Sequence, residues 1–180
     1  MVMPSVLVPI LMLVLIALLL LLIALLVYIL FGLYITAQGP PFAPSSDERV
    51  EHILQLARVR PGKRVADLGS GDGRVLIALA SAGVRADGYE INPWLVWRSR
   101  RAVRRAGLED SIAIHCASFW KANLGRYDLV VIYGIGYIME NLAAKLEREL
   151  KDGSKVISVY FEFPEWQPKK VLGDVRLYQV

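Results

Sequence analysis

The chain has 180 residues, 55% of them hydrophobic, with 21 Lys and Arg against 17 Asp and Glu for a net charge of +4. Its lone cysteine, Cys116, excludes an intramolecular disulfide and suits a reducing compartment. A sequence pI near 9.3 is only diffuse evidence for a nucleic-acid partner, and no platform of stacking aromatics accompanies it, so nucleic acid is not the expected partner.

The apolar residues are concentrated at the start. No charge precedes Asp47, and from Val6 to Phe31 only Pro9 interrupts the aliphatic run. At ~1.5 Å per residue, about 20 residues cross a hydrocarbon core of roughly 30 Å, so the run spans a bilayer even when tilted. Tyr28, Phe31 and Tyr34 suit an interfacial aromatic belt. A cleaved signal peptide would show a basic start, an apolar stretch of about 7 to 15 residues and a small-residue cleavage site. Here no Lys or Arg precedes the run, the run is longer, and Ile35-Thr36-Ala37 is a poor cleavage signal. A core helix would have to be wrapped on every side by the remaining residues. The expectation is a transmembrane anchor over residues 1–37. Every Lys and Arg lies after it, which by the positive-inside tendency makes this a single-pass protein with its folded domain on the cytosolic or matrix side.

Residues 38–45 read as a connector whose three prolines favour an extended, fairly stiff path, keeping the domain of residues 46–180 close to the bilayer. Ser45 and Glu48 have capping-box spacing and predict a helix with Val50, Ile53, Leu54 and Leu56 as its apolar stripe, ended by Pro61-Gly62. Strands are expected at Val65 to Leu68, Ala86 to Ile91, Ile112 to Cys116, Leu129 to Tyr133 and Lys155 to Phe161. Helices are expected at about Gly73 to Ala82, Pro93 to Ala106 and Ile138 to Leu150. Strands alternating with helices bury both sheet faces, so the fold class is α/β, a Rossmann-like, doubly wound, mainly parallel sheet. Residues 171–178 read as two strands around a Gly173-Asp174 turn, which places an antiparallel hairpin at one edge.

The stretch Asp67-Leu68-Gly69-Ser70-Gly71-Asp72-Gly73-Arg74 follows a buried strand and opens a helix. Alternate glycines let the backbone adopt positive φ and approach a ligand, and the free amides of a helix start attract an anionic group. Glu90, about 20 residues on at the end of the second strand, is placed to accept hydrogen bonds from ribose hydroxyls. A nicotinamide dinucleotide would call for Gly or Ala at the sixth position from Gly69, and Arg74 is too bulky for it. The spacing Asp67-x-Gly69-x-Gly71-x-Gly73 instead resembles the first motif of seven-strand methyltransferases. That resemblance implies S-adenosyl-L-methionine, an intracellular cofactor, bound by Asp67, Gly69, Ser70, Gly71, Asp72, Gly73 and Glu90, and it implies no metal. By the same analogy the adenine pocket falls at Ala117-Ser118-Phe119-Trp120, with Ser118 standing where an Asp is common and with Phe119 or Ile91 as the apolar wall; Phe119 and Trp120 read equally well as core aromatics. Tyr133-Gly134-Ile135-Gly136-Tyr137 would face the transferred methyl group. It lacks the acid or Asn before Pro-Pro-aromatic that marks methylation of exocyclic base amines.

Pro41 to Ser45, Asp67 to Arg74, Gly88-Tyr89-Glu90-Ile91-Asn92-Pro93-Trp94 and Ser158 to Pro168 occur in an order that resembles one family. It is the compact protein-lysine methyltransferases, which include broad-specificity prokaryotic enzymes and the mitochondrial enzymes that methylate the ATP synthase c subunit and the adenine nucleotide translocase. The likeness runs from Pro41 to the C-terminus, and its specific part is Asn92-Pro93-Trp94 with Trp166-Gln167-Pro168. It implies a protein substrate with an accessible lysine, Phe42 and Ser45 closing the cofactor site, and Phe161, Glu162 and Trp166 bordering the acceptor channel. Candidates for the aromatic lining are Phe42, Tyr133, Tyr137 and Trp166; for Trp166, packing beneath the terminal hairpin is the competing reading.

The five arginines between Arg98 and Arg105 spread over neighbouring faces of their helix; such a surface is usually solvated, and beside a membrane it also suits anionic headgroups. Methylation of a lipid or quinone headgroup, or a non-enzymatic cofactor-binding or assembly module, are the alternatives that the same anchor and motif leave open.

Overall fold

The computed structural model describes residues 4–38 and 44–180. Phe42 and most of the connector lie outside them. The chain divides into two units, Met1–Ala37 and Gln38–Val180.

The first unit is one helix, α1 (Pro4–Gln38). Within it, the 28 residues Leu7–Tyr34 are long and apolar enough to cross a membrane, and none of them is buried by the rest of the chain. Leucine is a strong helix former, and a helix satisfies its backbone polar groups internally.

The second unit is a seven-stranded sheet in the order β3-β2-β1-β4-β5-β7-β6. The parallel strands are β1 (Arg64–Leu68), β2 (Arg85–Glu90), β3 (Ile112–Cys116), β4 (Leu129–Ile132) and β5 (Lys155–Val159). Their near-continuous apolar runs are what burial on both faces requires. The closing hairpin, β6 (Lys170–Leu172) and β7 (Val175–Gln179), joins through β7, antiparallel to β5.

Three helices cover one face: α2 (Asp47–Ala57), α3 (Arg74–Ala80) and α4 (Pro93–Ala106). Ile53, Leu56, Leu76, Leu79, Val96 and Val103 pack there against Val65, Val131 and Ile157. The other face carries α5 (Gly136–Glu149), whose Met139, Leu142 and Leu146 meet Leu68, Val130 and Val156.

Several boundaries differ from expectation by a residue or two, and three features depart further. The cap of α2 is Ser46, whose hydroxyl accepts from the Arg49 amide at 3.3 Å, whereas Ser45 is buried and its carbonyl accepts from Arg74 at 2.8 Å. The fifth strand stops at Val159 because Tyr160 turns to φ 70. Phe119–Lys121, capped by Ser118, adds a single 3-10 turn between β3 and β4, where no helix was expected.

Candidate functional site

The parallel strands deliver their C-terminal ends to one edge, and the order reverses at β1, which has β2 on one side and β4 on the other. Ligands of open α/β sheets bind at such a switch point. Asp67, next to last in β1, pairs with Gly88, Glu90 ends β2, and Tyr133 follows Ile132, the partner of Leu68.

The turn after β1 is built by its glycines: Gly69, Gly71 and Gly73 take φ 86, 54 and 84, which side-chain-bearing residues rarely adopt. The amides of Gly69 and Ser70 donate to the Tyr89 carbonyl at 2.8 and 3.0 Å, and the Gly71 amide donates to Glu90 Oε2 at 3.0 Å. The Asn92 amide donates to Glu90 Oε1 at 2.8 Å. Glu90 is therefore a buried carboxylate, 8% exposed, clamped by two amides with one lone pair left on each oxygen.

Asp67 is 5% exposed, and among the described residues nothing donates a hydrogen bond to its carboxylate. Burial first, and then the charges of Glu90 and Asp72, push its pKa from 3.8 to about 7. A buried acid beside two others, with no donor, is the complement of a cationic group.

Asp72 has a different environment. Its carboxylate takes a two-pronged grip from Arg74, at 3.1 Å from Nε and 2.8 Å from Nη2, with Arg98 3.7 Å away. Burial would raise its pKa, but Arg74 holds it below the ordinary range. Through its third nitrogen Arg74 reaches the Ser45 carbonyl, so the turn is tied to the segment ahead of α2. The Ser70 hydroxyl is buried without a partner among the described residues, against the close approach of Gly88.

On the far side of Glu90, the Ala117 amide donates to the Glu90 carbonyl at 3.0 Å and brings the loop after β3 beside Ile91. There the Ser118 hydroxyl is buried and unpartnered, and Phe119 is buried with its ring 4.9 Å from that of Trp120. An orphaned hydroxyl and an apolar wall fit a heteroaromatic base.

After β4, Tyr133 is half-buried, with the Arg49 guanidinium 5.6 Å from its ring centre. Arg49 also pairs with Asp174 at 2.6 Å, fastening the tip of the terminal hairpin to α2 at this edge of the sheet. Arg49 and Asp174 were not anticipated: they are 125 residues apart, and no local pattern joins them. Tyr137 is exposed, and the Phe161 ring approaches Gly136 at the start of α5.

Of the expected channel residues, Glu162 lies toward this edge and Trp166 does not. Glu162 is exposed and paired at 2.6 Å with Arg176, which donates to the Tyr160 and Asp174 carbonyls. Trp166 packs on Phe163 and Tyr178, and its indole N–H donates to Glu147 at 2.7 Å. Glu147 lies near the end of α5, and Tyr178 pairs with Val156 near the start of β5, so Trp166 sits toward the opposite end of the sheet. Phe42 lies outside the described residues.

Strand order, the glycine turn and paired acids at two strand ends define a class I S-adenosylmethionine methyltransferase fold. The sequence model of the ANTKMT methyltransferase domain matches residues 67–170, and the chain belongs to that family. It is 44% identical over 134 residues to the Homo sapiens lysine N-methyltransferase named for the ATP synthase c subunit, an alignment covering 74% of this chain and 57% of that protein. Against the adenine nucleotide translocase lysine N-methyltransferase of Mus musculus it is 42% identical over 135 residues, 74% of this chain and 58% of the other. A protein-lysine N-methyltransferase of Saccharolobus islandicus is 31% identical, with 73% and 83% covered. Among solved structures, an RNA methyltransferase from Salinibacter ruber in complex with S-adenosyl-L-homocysteine superposes with a TM-score of 0.71 at 30% identity, covering 76% of this chain and 92% of that one. The chain thus spans less than two thirds of the length of the mammalian relatives it matches.

Proposed function

We propose that this protein is an S-adenosylmethionine-dependent methyltransferase that acts on lysine side chains of proteins and is held at a membrane by α1. The observation that carries the reading is the pair of buried carboxylates at adjacent strand ends, Asp67 without a donor and Glu90 clamped by the Gly71 and Asn92 amides. Asp67 would hold the ammonium of the cofactor's amino acid portion, and Glu90 the two ribose hydroxyls. Ile91, Ser118 and Phe119 would receive the adenine. The backbone of Gly69, Ser70, Gly71 and Gly73 forms the floor, with Asp72 as a positioning residue acting through Arg74.

When bound, S-adenosylmethionine supplies an electrophilic methyl group on a sulfonium centre. The protein's task is then alignment and desolvation. A lysine acceptor has an ordinary pKa of ~10.4, so removing its proton at neutral pH costs roughly 4 to 5 kcal/mol. An apolar aromatic surface disfavours the ammonium and lowers that cost. Tyr133, Tyr137 and Phe161, around the start of α5, would supply that surface. No covalent nucleophile is required.

The protein-lysine relatives of mammalian, archaeal and nematode origin favour a lysine acceptor over the RNA named for the Salinibacter protein. Anchoring rests on the length and apolarity of Leu7–Tyr34. The test is incubation of the full chain in detergent or vesicles with methyl-labelled cofactor and with membranes, lipid extract and RNA in separate arms. Label in protein, recovered as methyl-lysine on hydrolysis, is the expected result. Label confined to lipid or RNA would overturn the acceptor, and absence of cofactor binding by calorimetry would overturn the whole reading.

A further inference from the structure

Helix α4 carries a face that the fold does not use. Leu95, Val96, Ser99 and Val103 are buried against the sheet, and the opposite side holds Trp94, Trp97, Arg98, Arg101 and Arg105, spaced i, i+3, i+4, i+7 and i+11. With 3.6 residues per turn, those positions share one side of the helix. Trp94 and Trp97 are 64% and 48% exposed, and their rings stack on each other at 4.8 Å instead of entering the core. Arg101 lies 5.8 Å from the Trp97 ring centre. The neighbouring Arg100 is engaged elsewhere, donating to the Ile114 carbonyl, so the cationic face is narrower than the run of arginines suggests.

Two large indoles left in water are costly unless a partner covers them. Indoles ringed by arginine are the composition of surfaces that lie at a membrane interface, where the ring sits at headgroup depth and the guanidinium meets phosphate. We propose that the Trp94–Trp97 face of α4 docks on an anionic bilayer surface. Charge complementarity commits the occupant: Arg98 lies 3.7 Å from Asp72, but Arg101 and Arg105 keep the face basic, and the same chain carries a helix able to cross a bilayer. The inference rests on the membrane anchoring proposed above. Because α4 begins at Asn92-Pro93, directly after Glu90, docking here brings the edge of the sheet that carries Glu90 next to the lipid surface, where the exposed lysines of an embedded protein lie.

The experiment uses the full chain reconstituted in vesicles of phosphatidylcholine alone or of equal parts phosphatidylcholine and phosphatidylglycerol, each with a lipid carrying a shallow spin-label quencher. Tryptophan quenching reports contact, and the Trp94→Phe/Trp97→Phe variant supplies the background from Trp120 and Trp166. The expected result is quenching severalfold stronger in the anionic vesicles, abolished in Arg101→Glu/Arg105→Glu and kept in the charge-matched control Lys151→Glu/Lys170→Glu. Equal quenching in both vesicles, or in wild type and Arg101→Glu/Arg105→Glu, overturns the docking. Indoles that stay unquenched by lipid but become shielded from aqueous iodide only when a protein acceptor is added assign the face to that acceptor and also overturn it. Flotation with neutral vesicles reads the anchor separately. A chain that floats unquenched sinks only this inference; one that does not float sinks the anchoring, and quenching on added anionic vesicles then still decides the face.

Discussion

The Gly71 amide donates to Glu90 Oε2 at 3.0 Å, so the glycine turn after one strand positions the acid at the end of the next. Glu90→Ala should therefore do two things at once. It removes the ribose acceptors, for an expected affinity loss of about 30-fold or more, and it leaves the amides of Gly71 and Asn92 unpaired, costing about 1–3 kcal/mol of stability. Calorimetry and denaturant unfolding read the two effects separately. Cofactor affinity unchanged in both Glu90→Ala and Glu90→Gln would remove Glu90 from the site.

Asp67 predicts a pH dependence with a definite sign. Its pKa in the folded protein is raised to about 7 by burial and then by Glu90 and Asp72. The folded state thus holds the proton more tightly than the unfolded chain, and the stability this brings is complete below the unfolded value and lost as pH rises through about 7. The cofactor-free protein should lose thermal stability between about pH 4 and 7, and Asp67→Asn should flatten that loss. An ammonium ligand selects the ionised acid, so affinity should rise over the same window with release of a proton, visible as a buffer-dependent binding enthalpy. A flat affinity profile would separate Asp67 from the ligand's charge.

Arg74 ties Asp72 to the Ser45 carbonyl. Arg74→Ala should raise KM for the cofactor about tenfold and leave kcat within about twofold, the pattern of lost ground-state organisation. Arg74→Lys should not rescue it, because an ammonium cannot reproduce the planar fork. A fall in kcat at saturating cofactor would contradict the positioning role.

Trp166 and Glu162 provide a contrast. Trp166→Phe breaks the bond to Glu147 and loosens the packing on Phe163 and Tyr178, at an expected cost of about 1–2 kcal/mol. Glu162→Gln releases an exposed ion pair worth under about 1 kcal/mol. Neither should alter kcat by more than about twofold. A loss of turnover in Trp166→Phe with stability intact would carry the acceptor channel to the far end of the sheet, and one in Glu162→Gln would bring the exposed pair with Arg176 into it.

Gly88 is where β2 must let the turn pass. A Cβ there would lie 2.5 Å from Leu76 Cδ1 and 2.9 Å from Ser70 Cβ. Leu76 can adjust its tip, but Ser70 is held by the hydrogen bond its amide donates to the Tyr89 carbonyl. Gly88→Ala should cost about 1–3 kcal/mol and weaken cofactor binding with it, measured by unfolding with and without cofactor.

Much of the fold is legible in the order of residues. Strands β1 to β5 and helices α2 to α5 fall within a few residues of their expected positions, because each is encoded by the spacing of apolar residues along a short window. The ends are less legible: Tyr160 at φ 70 stops β5 early, and nothing in its residue type announces a left-handed conformation. The cap falls on Ser46 and not on Ser45 because Arg74, 29 residues on, claims the Ser45 carbonyl. The arginines of α4 look scattered on a helical projection and become a face only once Arg100 turns to β3.

By itself the sequence determined the apolar helix, the α/β alternation and the acidic glycine turn with its distant acid, all of which depend on residues near each other in the chain or repeated at a fixed period. Only the tertiary structure decided that Asp67 meets no donor among the described residues while Asp72 is taken by Arg74, that Arg49 reaches Asp174, and that Trp166 belongs to the far end of the sheet. Those outcomes depend on where a returning chain passes and which partner arrives first, and a one-dimensional pattern of residue types carries neither.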